Sequence, residues 1–288
     1  MTARARQPGF VLVLTPFLAW VLLLVIIPHI NLLLLSLHER TGPQQFRLGL
    51  RNYRDLFGER VYVAALLHTV AFALLTTALT LLVAFPVAYY IARIARGRTR
   101  TLLSLACLLP FWVSELVRVF GWMMLLRETG LLSRALVRAG LIAHPVELLY
   151  NNTVVIVGLV YASVLFMMVP LISTLDTLDE ALVEAGYDLG GSRWTVLRRI
   201  VIPHAMPGIV AGSVIVFMLN LGSYITPTLL GGKNSQWFTA QIYSQFITRF
   251  NWEAGSAFGF VLLATSGLVV WLALRLSGQS LSRTLGRG

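Results

Sequence analysis

The sequence predicts an all-α integral membrane protein with six transmembrane helices, and three observations support this. Of the 288 residues, 57% are hydrophobic and only 12% are charged, whereas soluble domains carry about 25% charged residues. The short alternating segments of a membrane β-barrel are absent. Six apolar runs each reach the ~20 residues that a helix needs to cross a bilayer. The runs are Phe10–Leu37, Val61–Ile91, Leu102–Leu126, Thr153–Leu175, Ile209–Leu230 and Ala254–Leu276.

The first run follows Arg4 and Arg6, as the apolar part of a secretory signal peptide would. It is longer than the apolar part of a signal peptide, which has about 7–15 residues, and no small-residue cleavage site follows it. We therefore expect an uncleaved first helix.

The net charge of +11 comes from 23 basic residues, all of them arginine except Lys233. They lie between the apolar runs, as basic residues do in membrane loops. We therefore expect membrane lipid around the chain and do not expect nucleic acid as a partner. Cys107 is the single cysteine and the five histidines are scattered. The sequence therefore predicts neither a disulfide framework nor a metal site, and we expect no cofactor.

The orientation follows from one short basic segment. Six spans place both termini on the same side, and the basic residues as a whole are nearly balanced between the two sides. The segment 92–101, however, concentrates four arginines with no acidic residue beside them: Arg93, Arg96, Arg98 and Arg100. Because cytoplasmic loops are enriched in basic residues, we expect both termini to be cytoplasmic.

Between the fourth and fifth runs lies a segment that is too polar to span the membrane. Leucine and alanine recur there at three- and four-residue steps, which predicts a helix, and Gly190 and Gly191 end it in the way that a left-handed C-terminal cap requires. Ser192 is a favourable N-cap for a second short helix, which we expect to end at Pro203. This pattern alone leaves two interpretations open: an ordinary amphipathic surface loop, or a docking site for a partner protein.

The same segment resembles the cytoplasmic motif of permease subunits of binding-protein-dependent ABC importers, the type I, MetI-like class. That motif, the EAA motif, reads Glu-Ala-Ala, three residues, Gly, nine residues, Ile, one residue, Leu-Pro. The present sequence has Gly186 in place of the second Ala and Ile202 in place of Leu, with the spacing kept. The matching residues are Glu184, Ala185, Gly186, Gly190, Ile200, Ile202 and Pro203.

The resemblance extends along the chain. LRNYRDLFGER (50–60) is similar to the periplasmic Asn-Tyr segment before the second span of these permeases. Residues 108–126 and 221–232 resemble the third span and the end of the fifth span in the polyamine (spermidine/putrescine) branch. That branch also contains relatives assigned to ferric iron and phosphonates. The resemblance therefore implies an importer for a small solute and favours a polyamine.

The resemblance also implies an assembly in the inner membrane. The expected partners are an ABC ATPase dimer, a second permease that is either homologous or a second copy, and a periplasmic or extracellular solute-binding protein. The expected division is an N-terminal span with a periplasmic segment (1–60), a permease core (61–276) and a cytoplasmic tail (277–288). Within the core, the coupling segment (residues 176–204) would dock on the ATPase, and its Glu184 would make polar contacts that hold it in place.

Catalysis by the chain itself is not expected. It lacks the Gly-x-x-x-x-Gly-Lys-Ser/Thr phosphate-binding loop, so ATP hydrolysis would fall to a partner subunit, and no catalytic residue is predicted. A stand-alone secondary transporter is the rival interpretation, but no inverted repeat is visible. An intramembrane enzyme would need a catalytic constellation inside the spans, and none is present.

The candidate residues of the translocation pathway are polar side chains within apolar runs, where ionisable groups are costly. Glu115 and Arg118 are three residues apart in the third run; they either pair with each other or face the solute. In the fifth run the polar residues either join helices or line the pathway. The candidates are Glu115, Arg118, Asn220, Ser223 and Tyr224.

Overall fold

The computed structural model describes residues 8–40, 46–232 and 235–276, which are almost entirely helical. The basic residues Arg4 and Arg6, Lys233 and the predicted tail 277–288 lie outside the described residues. Five helical segments are long and apolar enough to cross a membrane: Leu14–Ser36, Arg60–Ile94, Asn152–Asp176, Arg193–Gly222 and Trp252–Arg275. A sixth span is reached only if the bent pair Gly97–Trp112 and Glu115–Arg138 counts as one.

The helices are numbered along the chain, and several continue through a short π or 3₁₀ turn. They are α1 (Pro8–Val21), α2 (Ile27–Ser36), α3 (Arg51–Gly58), α4 (Arg60–Tyr89), α5 (Gly97–Leu108), α6 (Glu115–Leu126), α7 (Leu131–Arg138), α8 (Asn152–Asp176), α9 (Glu180–Asp188), α10 (Arg193–Val196), α11 (Ile202–Gly222), α12 (Ile225–Gly231), α13 (Phe238–Tyr243) and α14 (Trp252–Leu276). The chain divides into two compact units, Met1–Val63 with Gln241–Ala264, and Ala64–Ala240 with Thr265–Gly288.

The first unit contains a two-stranded antiparallel hairpin, β1 (His38–Arg40) and β2 (Phe46–Leu48). The hairpin is a local exception to the predicted all-α fold, because two strands of three residues are too short to give a sequence pattern. The Asn-Tyr segment that follows holds the hairpin to the end of α2. The Asn52 side-chain amide donates to the carbonyls of Ser36 and His38 at 3.0 and 2.9 Å, and the Tyr53 hydroxyl lies 2.8 Å from the Ser36 hydroxyl.

The third predicted span, Leu102–Leu126, is not one straight helix. It is broken between a 3₁₀ turn (Leu109–Trp112) and α6, and the two halves are bent by 92°. Pro110 removes a backbone donor near the end of α5, and Ser114 takes an extended conformation as the N-cap of α6. Glu115 thus begins a helix, where the helix dipole favours a carboxylate, instead of lying in the middle of a span.

The fifth predicted span, Ile209–Leu230, is shifted toward the N-terminus. One continuous helix runs from Arg193 to Gly222, so the prediction that Pro203 ends a helix is wrong. The π turn Leu197–Val201, in which the Ile202 N–H pairs with the Leu197 carbonyl, shifts the hydrogen-bond register just before Pro203. That shift accommodates a residue without an N–H.

The same helix ends earlier than predicted. Ser223 is extended and α12 follows it. A proline ring clashes with the carbonyl four residues before it in a helix, and that carbonyl, for Pro227, belongs to Ser223. The Ser223 carbonyl turns away and accepts the Thr239 hydroxyl at 2.8 Å. The end of the predicted span is therefore a separate short helix.

The core of the second unit forms where α11 packs against α8. Two glycines four residues apart bring the two helices together. A Cβ on Gly208 would lie 2.6 Å from the Pro170 carbonyl oxygen, and one on Gly212 would lie 2.8 Å from the Met167 sulfur. Small residues at this spacing allow close packing of membrane helices. The packed side chains around them are buried and almost entirely apolar.

Gly208→Val is therefore expected to destabilise the protein by about 2 kcal/mol, because the obstructing atom is a backbone oxygen that cannot move aside. Gly267→Ala is the matched control, because a Cβ there meets nothing within 4 Å. Thermal unfolding of the purified protein in detergent measures both. Equal unfolding temperatures for the two variants would contradict this account of the α8–α11 contact.

Candidate functional site

The coupling segment begins with a short helix whose two ends are capped by its own sequence. Asp179 is the N-cap of α9, and its side chain accepts the Ala181 N–H at 3.0 Å. At the other end the Gly190 N–H donates to Tyr187 and the Gly191 N–H to Gly186, at 2.8 and 3.0 Å. Gly190 has φ of +79°, so the predicted left-handed glycine cap is present, as a Schellman motif.

The second helix of the segment is built on Ser192. Its hydroxyl accepts the Thr195 N–H at 3.2 Å, which is the predicted N-cap. The two helices approach closely at Gly186, where a Cβ would lie 2.6 Å from the Ile200 Cδ1. The absence of a side chain at Gly186 is therefore what allows α9 to lie against the helix that leads into α11.

The motif residues divide into an inner and an outer set. Gly186 and Ile200 face each other inside the segment, whereas Glu184, Ala185 and Pro203 are exposed. The Glu184 carboxylate takes part in none of the hydrogen bonds or ion pairs found among the described residues. Large apolar side chains are exposed in the same segment: Leu182 (54%), Leu189 (89%) and Trp194 (66%). The exposed surface of the segment thus combines large apolar side chains with the carboxylates of Glu180, Glu184 and Asp188.

The five candidate pathway residues line a single cavity of about 540 Å³ in the second unit. They come from the start of α6, the end of α11 and the extended break before α12. The wall is completed by residues of α8 and by the rings of Phe111 and Phe166. Whether a solute passes through this cavity stays a prediction, but the polar residues that the sequence singles out lie together.

Glu115 and Arg118 do not form an ion pair with each other in the described part of the chain. Glu115 accepts a hydrogen bond from the Thr226 hydroxyl at 3.0 Å, and Arg118 lies over the Tyr161 ring, 5.8 Å from its centroid. The Arg118 Nε is buried and has no hydrogen-bond partner among the described residues. The geometry therefore does not favour the interpretation in which Glu115 and Arg118 pair with each other.

Asn220 is a deeply buried polar residue of the cavity, with 2% of its surface exposed. Its side-chain amide nitrogen and the Ser223 hydroxyl have no hydrogen-bond partner in the described residues. A buried polar group without a partner is costly. The cavity thus presents one carboxylate together with donors that nothing in the described chain satisfies.

Sequence reasoning missed the aromatic part of the cavity. Phe111 and Phe166 form an edge-to-face pair with centroids 5.6 Å apart, and both line the cavity. Tyr161, under Arg118, was also missed. Aromatic residues within apolar spans give no signal of their own, because hydropathy treats them like any other membrane residue.

Several helices long and apolar enough to cross a membrane, with a polar cavity in the second unit, are typical of a membrane transport protein. The family described as "Binding-protein-dependent transport system inner membrane component" matches residues 81–283, and the chain belongs to this family. It is accordingly the permease subunit of an ABC importer, a multi-pass protein in which ATP hydrolysis is left to a separate ATPase subunit.

Individual proteins agree with this assignment. The chain is 32% identical over 275 residues to the spermidine/putrescine transport system permease protein PotB of Salmonella typhimurium (strain SL1344), covering 94% of this chain and 95% of the relative. PotB of Escherichia coli (strain K12) is 33% identical over 262 residues, covering 89% and 94%. A bacterial ABC transporter that imports the acidic polysaccharide alginate shares the fold, with a TM-score of 0.75, 20% identity and 97% and 96% coverage.

Proposed function

We propose that the chain carries a polyamine of the spermidine or putrescine type through the inner membrane. The observation that supports this most is the 32% identity to a spermidine/putrescine permease over 94% of the chain. The cavity is compatible with such a solute, because the Glu115 carboxylate has no basic partner among the described residues and two phenylalanine rings line the same cavity. A carboxylate and aromatic faces are both attractive to an ammonium group.

A second candidate is a solute with hydrogen-bond acceptors, such as a phosphonate. The observation in its favour is a pair of buried donors that have no hydrogen-bond partner in the part of the chain that the structure describes, the Arg118 Nε and the Asn220 amide nitrogen. An ammonium group brings only donors and cannot satisfy them, whereas a phosphonate oxygen can. The shared fold does not decide between the two, since the alginate importer of similar fold carries an acidic solute.

The coupling segment (176–204) is proposed to dock on the ABC ATPase. Leu182, Leu189 and Trp194 are strongly exposed on a pair of capped helices, and large apolar side chains left exposed together with polar residues are typical of a protein–protein contact. Within this proposal, Glu184 faces the ATPase and not the permease, because no partner inside the described chain holds its carboxylate.

The proposed assembly has two permeases, two ATPases and a solute-binding protein. A related solved structure, also of an alginate transporter, is in complex with a substrate-bound periplasmic protein. Both termini are proposed to be cytoplasmic, with 1–60 as the N-terminal span and periplasmic segment, 61–276 as the permease core and 277–288 as the tail.

Solute competition in proteoliposomes tests the proposed function. The complete importer, with its own binding protein, is expected to take up radiolabelled spermidine on ATP addition, and unlabelled putrescine should compete while methylphosphonate should not. Empty liposomes and complexes without ATP are the controls. Two outcomes would favour the second candidate over the polyamine. One is uptake that methylphosphonate blocks, and the other is the absence of spermidine uptake by an importer that hydrolyses ATP.

A further inference from the structure

The basic segment 92–101 contacts the start of the coupling segment, far away along the chain. Three of its arginines, Arg93, Arg96 and Arg100, contact residues 176–180. We call these arginines and their acceptors the arginine clamp. The Arg93 Nη1 donates to the Leu178 carbonyl at 2.8 Å, the Arg100 Nη2 donates to Asp176 at 2.6 Å, and Arg96 lies 3.7 Å from Glu180. The arginines that predicted a cytoplasmic loop are therefore not simply exposed charges.

The three contacts differ in strength. Arg96 and Glu180 are 84% and 66% exposed, and a pair that exposed contributes little. Arg100 and Asp176 are only 44% and 33% exposed, and the Leu178 that Arg93 reaches is 3% exposed. Charge-assisted hydrogen bonds at partly buried sites are the strong ones. Arg93 and Arg100 are thus the effective members of the clamp.

The clamp joins two structural elements with different tasks. Arg93 belongs to the π turn Tyr90–Ile94, which ends the helix that begins with α4, so it is fixed to the second span. Asp176 is the last residue of α8 and Leu178 lies between α8 and α9, at the base of the proposed ATPase-docking helices. The same base is packed into the apolar cluster that contains Ala88 and Ile91. Any displacement of α9 therefore pulls on the end of the second span.

We propose that Arg93 and Arg100 transmit ATP-driven movement of the coupling segment to the second transmembrane span. They are positioning residues, because they touch neither ATP nor solute. This inference rests on the proposed docking of residues 176–204 on the ATPase. It adds that the force reaches the bundle through the segment 92–101, in which Arg93 lies at the end of the second span and Arg100 lies in the first turn of α5, in addition to the continuous helix that leads from α10 into α11.

The test uses the complete importer with a reporter on the second span. Ile94, 54% exposed at the end of that span, is replaced by cysteine and spin-labelled in a Cys107→Ser background. The ATP-plus-vanadate-induced spectral change is measured together with ATPase co-purification. The variants are Arg93→Ala, Arg100→Asp and the charge-reversed pair Arg100→Asp with Asp176→Arg. Arg98→Ala is the matched control, since Arg98 has the same charge and segment but no hydrogen bond or ion pair among the described residues.

Arg93→Ala and Arg100→Asp are each expected to leave the ATPase bound. Each should reduce the spectral change and solute uptake by about ten-fold, because each variant loses one charge-assisted hydrogen bond. The reversed pair should recover most of the signal, and Arg98→Ala should match the wild type. An undiminished spectral change in both single variants overturns the proposal, as does loss of ATPase binding, which would make the clamp part of the docking surface. The docking proposal is tested separately by Leu189→Asp. If the ATPase still co-purifies with that variant, the docking proposal fails.

Discussion

Leu189→Asp is expected to release the ATPase from the importer while the permease stays folded. Leu189 is 89% exposed, so the substitution removes no contact within the chain. At the centre of a protein–protein contact, however, a buried leucine replaced by a carboxylate leaves an unpaired, desolvated charge. Hot-spot residues of this kind cost at least about 2 kcal/mol, or roughly a thirty-fold loss of affinity.

Co-purification of the ATPase with the tagged permease measures this effect, and solute uptake should fall in parallel. Leu141→Asp is the matched control, because Leu141 is also strongly exposed, at 71%, but lies between the third and fourth predicted spans, on the side opposite to the coupling segment in the predicted topology. If Leu189→Asp co-purifies with as much ATPase as Leu141→Asp does, the outer face of α9 is not the docking surface.

The coupling segment was predictable because its signals are local. Two glycines and a capping serine each fix the backbone within four residues, and the structure has the two helices and the glycine turn where these signals predict them. Only the end at Pro203 was wrong. There the decisive feature is a π turn that ends two residues before the proline, and no residue type marks such a turn.

The breaks in the third and fifth spans were missed for a different reason. A hydropathy pattern measures how apolar a segment is and does not register the direction of the helix axis. Ser114 with Glu115, and Gly222 with Pro227, are helix-boundary signals that were present but lay inside long apolar runs. The bend of 92° and the short helix α12 follow from these residues.

The cavity was predictable only in its polar residues. Polar side chains within membrane segments attract attention because they are costly there, and all five candidates line the same space. Their pairing was not predictable. A spacing of three residues makes Glu115 and Arg118 neighbours on a helix, but whether they meet depends on Thr226 and Tyr161, which come from other helices.

Glu115→Gln is expected to lower spermidine uptake by about ten-fold or more, the equivalent of one ammonium–carboxylate hydrogen bond. Folding should be little affected. The glutamine carbonyl can still accept the Thr226 hydroxyl, now 3.0 Å from the Glu115 Oε1, and Arg118 loses no ion-pair partner because it has none in Glu115. Uptake per assembled complex, together with the unfolding temperature, measures the two effects separately.

Two comparisons make this result specific. Glu128→Gln removes the same charge from an exposed position after α6 and should leave uptake unchanged. Arg118→Gln should not weaken spermidine uptake, since the guanidinium repels a cation, but it should abolish uptake of an acceptor-bearing solute, for which the unpartnered Nε would be the donor. Spermidine uptake that survives Glu115→Gln and is lost in Arg118→Gln would reverse the roles of the two residues, because the cavity would then select for acceptors and not for ammonium groups.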